Sequence, residues 1–273
     1  MRRWPMALWA GMALISIVLL IGLLAPLLVR FPFDELHLGD RFTPPSGAYW
    51  FGTDEFGRDV FSRVLTGTWA SLFFGVGATA IAIALGIPLG ILAGHLGGFA
   101  DEAVMRPLDI LMSFPPIILA MLMLAMTEPG IVKTVIVVGV VYTPTIARIT
   151  RSSAITISKE AYVEAAGALG ASTMHKMVRH ILPNVIPTIS VEATIQIGFC
   201  ILLAAALSFV GLGAQPPSSD WGLMISDARP YVLRAPWVAI FPGIFMGVTV
   251  VGFNLLGDGL RELLDPRASH GRR

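Results

Sequence analysis

Residues 158–187 read SKEAYVEAAGALGASTMHKMVRHILPNVIP, a charged stretch set between two long apolar runs. A segment this polar cannot lie in hydrocarbon, so it must sit in water between two membrane walls. Tyr162, Ala165, Ala166 and Leu169 recur at i, i+3, i+4 and i+7, which places a narrow stripe of mostly small apolar side chains along one helix face. Gly170 can take the positive-φ conformation that ends such a helix, and Ser172 can cap the next one. Leu182-Pro183 is expected to stop that second helix. The predicted unit is a short helix, a turn and a second short helix, with small residues that permit close approach of another protein.

Working outward, the composition places the whole chain in a membrane. Hydrophobic residues make up 55% of the 273 and charged ones 14%, with a mean hydropathy of +0.75, well above the usual range of soluble domains. Runs without Asp, Glu, Lys or Arg cover 4–29, 64–100, 110–127, 193–219 and 235–257, each near or above the ~20 residues a spanning helix needs. A sixth run, 134–147, is short by itself and reaches span length if Lys133 and Arg148 snorkel to opposite interfaces. The expectation is an all-α integral membrane protein with six transmembrane helices.

Placing the N-terminus in the cytoplasm puts twelve of the 19 basic residues on that side, including Arg2, Arg3, Arg148, Arg151, Lys159, Lys176 and Arg179. This bias favours both termini inside and the 158–187 loop facing the cytoplasm. The first run is too long for a cleaved signal peptide and reads as a retained helix. The single Cys200 falls mid-span and reads as packing. Neither a GxxxxGK[ST] phosphate loop nor an HExxH or paired Cys/His spacing occurs, so no catalytic, cofactor-binding or metal residue is expected in this chain. The five histidines look scattered, and His95, Asp109, Glu128 and Glu192 fall near predicted span ends.

Within the loop, Glu164-Ala165-Ala166, Gly170, His180 and Leu182-Pro183 resemble the EAA loop of ATP-binding cassette (ABC) importer permeases, and the His-Ile-Leu-Pro-Asn run is similar to the peptide and nickel branch. Three further stretches carry the same resemblance. Gly52-Thr53-Asp54 and Gly57-Arg58-Asp59 lie ahead of the second span. Physically these glycines permit turns, Thr53 or Asp54 can cap a following helix, and Arg58 can pin the loop through ion pairs, which reads as a structural clasp. Val60, Phe61, Val64 and Leu65 then suggest a short amphipathic helix along the interface. After the fifth span come Gly211 and Gly213, Pro216-Pro217 and Trp221-Gly222, either a rigid cap or a lining of the outer gate, with Trp221 as an interfacial anchor. Asn254, Gly257, Asp258, Arg261, Asp265 and Pro266 close the chain as a helix exit and stop.

The resemblance is to the C-type subunit of dipeptide and oligopeptide permeases, and implies the type I ABC importer permease fold with a cytoplasmic coupling helix. Its implied organisation is a first helix over 1–30, an outer loop and interfacial helix over 31–70, a permease core over 71–260 carrying the 158–187 loop, and a cytoplasmic tail over 261–273. Implied partners are a B-type permease, two cytoplasmic ATPases that hold ATP and Mg, and an extracytoplasmic binding protein, all at a bacterial or archaeal cytoplasmic membrane; nucleic acid is not among them. Short peptides are the expected cargo, with nickel complexes, glutathione or opines as alternatives. A different class, a gradient-driven carrier, would need a midplane carboxylate or an inverted repeat, and a channel would need a filter sequence; the chain offers neither signal.

Overall fold

The computed structural model describes residues 5–264, and the expected sites Asp265 and Pro266 lie outside them. Every regular element described is helical: α1 (Met6–Leu28), α2 (Val60–Leu96), α3 (Gly98–Met112), α4 (Pro116–Ala125), α5 (Ile131–Ser158), α6 (Ala161–Ala168), α7 (Thr173–Lys176), a π turn (Met177–Ile181), α8 (Leu182–Phe209), α9 (Trp221–Ala228) and α10 (Trp237–Leu264), with two 3₁₀ turns at Leu38–Asp40 and Arg229–Tyr231.

Close helix approach at small residues fixes the topology. Going along α2, Gly77 faces Val135, Gly90 faces Thr150 and Gly94 faces Ala154 of α5. Rising numbers meet rising numbers, so α2 and α5 run parallel. A Cβ on Gly90 would come within 2.5 Å of the Thr150 Cβ, so only glycine allows this crossing. Two parallel helices joined by 34 residues require a full crossing between them, and α3 with α4 supplies it. These two helices meet at a 90° bend, placed at Ser113–Pro115 because each proline disfavours helix at the residue before it. At the chain ends α1 and α10 run antiparallel, with Gly259 against Leu8 and Gly11 against Leu256. The path therefore makes six crossings, and Pro5 and Leu264 lie at the same end of the bundle.

Several sequence expectations change here. The run 110–127 is not one straight span: the bend falls inside it, its first residues ending α3, which carries Asp101 and Asp109, and most of the rest forming α4. These acids are accommodated because Arg151 and Arg148 of α5 pair with them at 2.5 and 2.6 Å. The short run 134–147 is the middle of α5, a 28-residue helix long enough to span, with Arg148 ten residues before its end. Lys133 is at the helix start, 3.9 Å from Glu128. No separate interfacial helix covers 60–65. Val60 and Val64 are fully buried and open the 37-residue α2, because Asp59 caps that helix directly.

The second helix of the 158–187 loop also does not stop at Pro183. The chain from Thr173 to Phe209 is continuous. A proline lacks an N–H and its ring crowds the carbonyl four residues back; the π turn just before it widens the helix where that crowding falls, with the Leu182 N–H donating to the Met177 carbonyl.

Candidate functional site

The α6–α7 loop is built from local signals. Val163, 2% exposed, is the residue that anchors α6 to the body of the protein. The helix closes in a Schellman arrangement: Ala171 N–H donates to the Ala166 carbonyl and Gly170 N–H to that of Gly167, both at 3.0 Å, with Gly170 at φ +86°. Ser172 Oγ then accepts from His175 N–H at 3.2 Å and starts α7. Past the π turn, Asn184 Nδ2 donates to the His180 carbonyl at 2.6 Å.

This geometry leaves the apolar stripe uncovered. Tyr162, Ala165, Ala166 and Leu169, joined by Gly170, His175 and His180, line an open groove of about 780 Å³ between α6 and the α7–π segment. Leu169 is 89% exposed, which a solvated connector gains nothing from. Glu164 stands exposed on the same short helix. The structure thus brings Ala165, Ala166, Gly170 and His180 together around one groove, whereas Leu182 and Pro183 lie beyond it at the start of α8.

At the opposite end of the bundle, Gly52, Thr53, Asp54, Gly57, Arg58 and Asp59 form a dense clasp. The Asp54 carboxylate is completely buried and accepts from Phe56 N (2.9 Å), Arg58 N (3.0 Å), Arg58 Nε (2.6 Å) and Arg63 Nη1 (2.6 Å). Asp59, rather than Thr53 or Asp54, caps α2 by accepting from Ser62 N at 2.9 Å. Gly57, at φ +77°, lies against the His37 backbone, which leaves no space for a side chain. Arg63 extends the network to the Ser218 carbonyl (3.3 Å) and Asp227 (3.8 Å) of the far loop. Burial raises the Glu55 carboxyl above its ordinary range, with Asp54 adding to the effect, and burial likewise raises Asp227. Burial and a hydrogen bond to Asp40 push Tyr49 up to about 12.

Trp221 is no interfacial anchor. It is fully buried, its indole N–H donating to the Val64 carbonyl at 3.0 Å, and Asp220 caps α9 beside it. Gly222 packs against Ala205 of α8, Gly213 folds back on Ser208, and Gly211 takes φ +82°. Pro216–Pro217 is a cis peptide between them. These contacts make the 210–222 stretch a lid packed onto α2 and α8. Near the chain end, Gly257 packs on Thr194 and Ile195, Asn254 approaches Gly198, and Arg261 shares a small cleft with Glu192; Asp258 sits exposed on the same helix. Arg63 was missed in the sequence, where it stands at the edge of the 64–100 run and carries no sign of its distant partners.

A helical membrane protein with an uncovered apolar groove at one end and a locked loop network at the other has the fold of ABC importer membrane subunits. A chain of the MetNI methionine ABC transporter, solved in inward-facing conformations, superposes with a TM-score of 0.62 over 74% of this chain and 97% of that one, at 21% identity. The chain belongs to the family of binding-protein-dependent transport system inner membrane components, whose description matches residues 86–270. Among curated relatives, the probable D,D-dipeptide transport system permease protein DdpC of Escherichia coli is 44% identical over 93% of this chain and 86% of its own length. The glutathione transport system permease protein GsiD of Pectobacterium atrosepticum is 43% identical over 87% and 77%. The protein is a membrane permease subunit of an ABC importer.

Proposed function

We infer that this chain imports short peptides as one half of a two-permease pathway, and that the α6–α7 groove is where a cytoplasmic ATPase grips it. The observation that carries the reading is the uncovered stripe of Tyr162, Ala165, Ala166 and Leu169 on a helix closed by Gly170. The relatives named for a D,D-dipeptide and for glutathione support cargo with a peptide backbone. In this reading the groove end of the bundle is cytoplasmic, with both chain termini, and the clasp end faces an extracytoplasmic binding protein. The second permease covers the exposed apolar side chains of the broken crossing, among them Ile110, Phe114, Ile118 and Leu122.

ATP and Mg are held by the ATPases. Their closure on ATP moves α6, and the continuous α7–π–α8 path carries that displacement into the bundle as a rigid-body shift between two states. The groove must make different contacts in the two states for ATP to change their populations. Co-purification of the tagged chain tests this. Wild type is expected to bring a second permease and ATPases with vanadate-sensitive turnover, and Glu164→Lys to lose the ATPases while remaining in the membrane. Retention of ATPases with normal substrate-stimulated turnover in Glu164→Lys would refute the docking role; recovery of the wild-type chain alone would refute the complex.

A further inference from the structure

Of the five histidines, no two are four residues apart, yet two of them meet. The rings of His175 and His180 lie 5.7 Å apart, centre to centre, at an interplanar angle of 62°. Both face the α6–α7 groove, His175 exposed and His180 half-buried. The Tyr162 ring lies 6.1 Å from that of His180, centre to centre.

The π turn explains the meeting. In a regular α-helix, residues five apart are rotated by about 140° from one another. The wider π turn, closed by hydrogen bonds across five residues, brings residue i+5 back toward the face of residue i. Its bond from Leu182 N–H to the Met177 carbonyl spans the same stretch that carries His180, and the Asn184 side chain holds the His180 carbonyl. Single π turns inside helices recur at functional sites. Nothing in the fold otherwise requires two imidazoles here, since neither ring is in the core.

We propose that His175 and His180 form a two-imidazole site for a divalent transition-metal ion of the Zn²⁺ class, assembled by the π turn. An ion about 2.0–2.1 Å from one nitrogen of each ring would hold ring centres roughly 5–6 Å apart at a near-tetrahedral angle. The observed 5.7 Å separation needs only side-chain rotation, which the exposed His175 can make. Among the described residues no group of three His, Cys, Asp or Glu is placed to hold a metal, so the remaining positions are open to water or to a partner's carboxylate. Lys176 and Arg179 neighbour the pair in sequence and keep its affinity modest. A bound ion resists any relaxation of the turn to α geometry, because that change would separate the rings. Its effect on coupling rests on the docking role inferred above; metal binding itself does not.

The test is a Co²⁺ titration, with Zn²⁺ competition, of the full chain in mild detergent. The chain carries a non-histidine tag and has His37, His95 and His270 replaced by Gln. One saturable site with imidazole-type absorption bands is expected. His175→Ala and His180→Ala should each weaken it by about tenfold or more, with helical content unchanged because both rings are outside the core. Absence of a saturable site, or a site that survives the double substitution, overturns the proposal. Loss of ATPase binding in Glu164→Lys leaves this titration unaffected, so the two ideas fail separately.

Discussion

The clasp around Asp54 and the groove beside α6 sit at opposite ends of the same bundle and are built on opposite principles. In the clasp, one buried carboxylate receives two backbone and two guanidinium donors, and Arg63 passes the tie on to the 218–227 loop. In the groove, an eight-residue helix is anchored through Val163 and turns its apolar stripe outward. A network satisfied from within holds its own shape. A surface left unsatisfied takes its shape from what binds it. The contrast separates residues whose loss removes the protein from those whose loss removes only its action.

The largest expected effect is at the clasp. Asp54→Ala leaves Arg58 and Arg63 buried without their main counter-charge, a class of change that costs about 3–5 kcal/mol. The amount of folded protein in membranes should fall sharply, as read by quantitative immunoblot and detergent melting; unchanged abundance with an altered substrate profile would instead make the clasp part of the pathway. Gly170→Val should do the reverse. The position has open space around it and φ +86°, so a branched side chain strains the turn by about 1–2 kcal/mol without a clash. Protein amount is expected to stay near wild type while uptake is lost, and uptake at the wild-type rate would show that the α6–α7 turn does not transmit motion.

The smallest effect concerns pH. Glu55 and Asp227 have folded-state pKa values raised by burial, so the fold disfavours their charged forms. That cost is fully present at neutral pH and is relieved as pH falls through the raised values toward those of the unfolded chain. Detergent melting temperature should therefore rise slightly on mild acidification. Glu55→Gln together with Asp227→Asn should flatten the response, and a rise that persists in that double variant would locate it elsewhere.

How much of this was legible in the sequence differs between the two ends. At the groove, the i, i+3, i+4, i+7 stripe, Gly170 and Ser172 are local signals, and the helix, its Schellman closure and the next cap follow from them. Pro183 misled because its cost was absorbed upstream, by a π turn that carries no sequence signature of its own. At the clasp the residues were visible but their partners were not: Arg63 meets Asp227 across 164 positions, and Trp221 meets Val64 across 157. Hydropathy counted six crossings but could not see the bend at Ser113–Pro115. Nor could it show that the acids before that bend pair with Arg148 and Arg151 of α5.

Labelling of Leu169→Cys with a membrane-impermeant maleimide in inverted membrane vesicles tests the central contrast most directly, since the native Cys200 is fully buried. With the chain expressed alone the new thiol is expected to react fast, and with its ATPases present to be protected, the protection changing on addition of ATP and vanadate. Equal labelling with and without the ATPases would contradict the account, because the groove would then be open to water whether or not the complex forms.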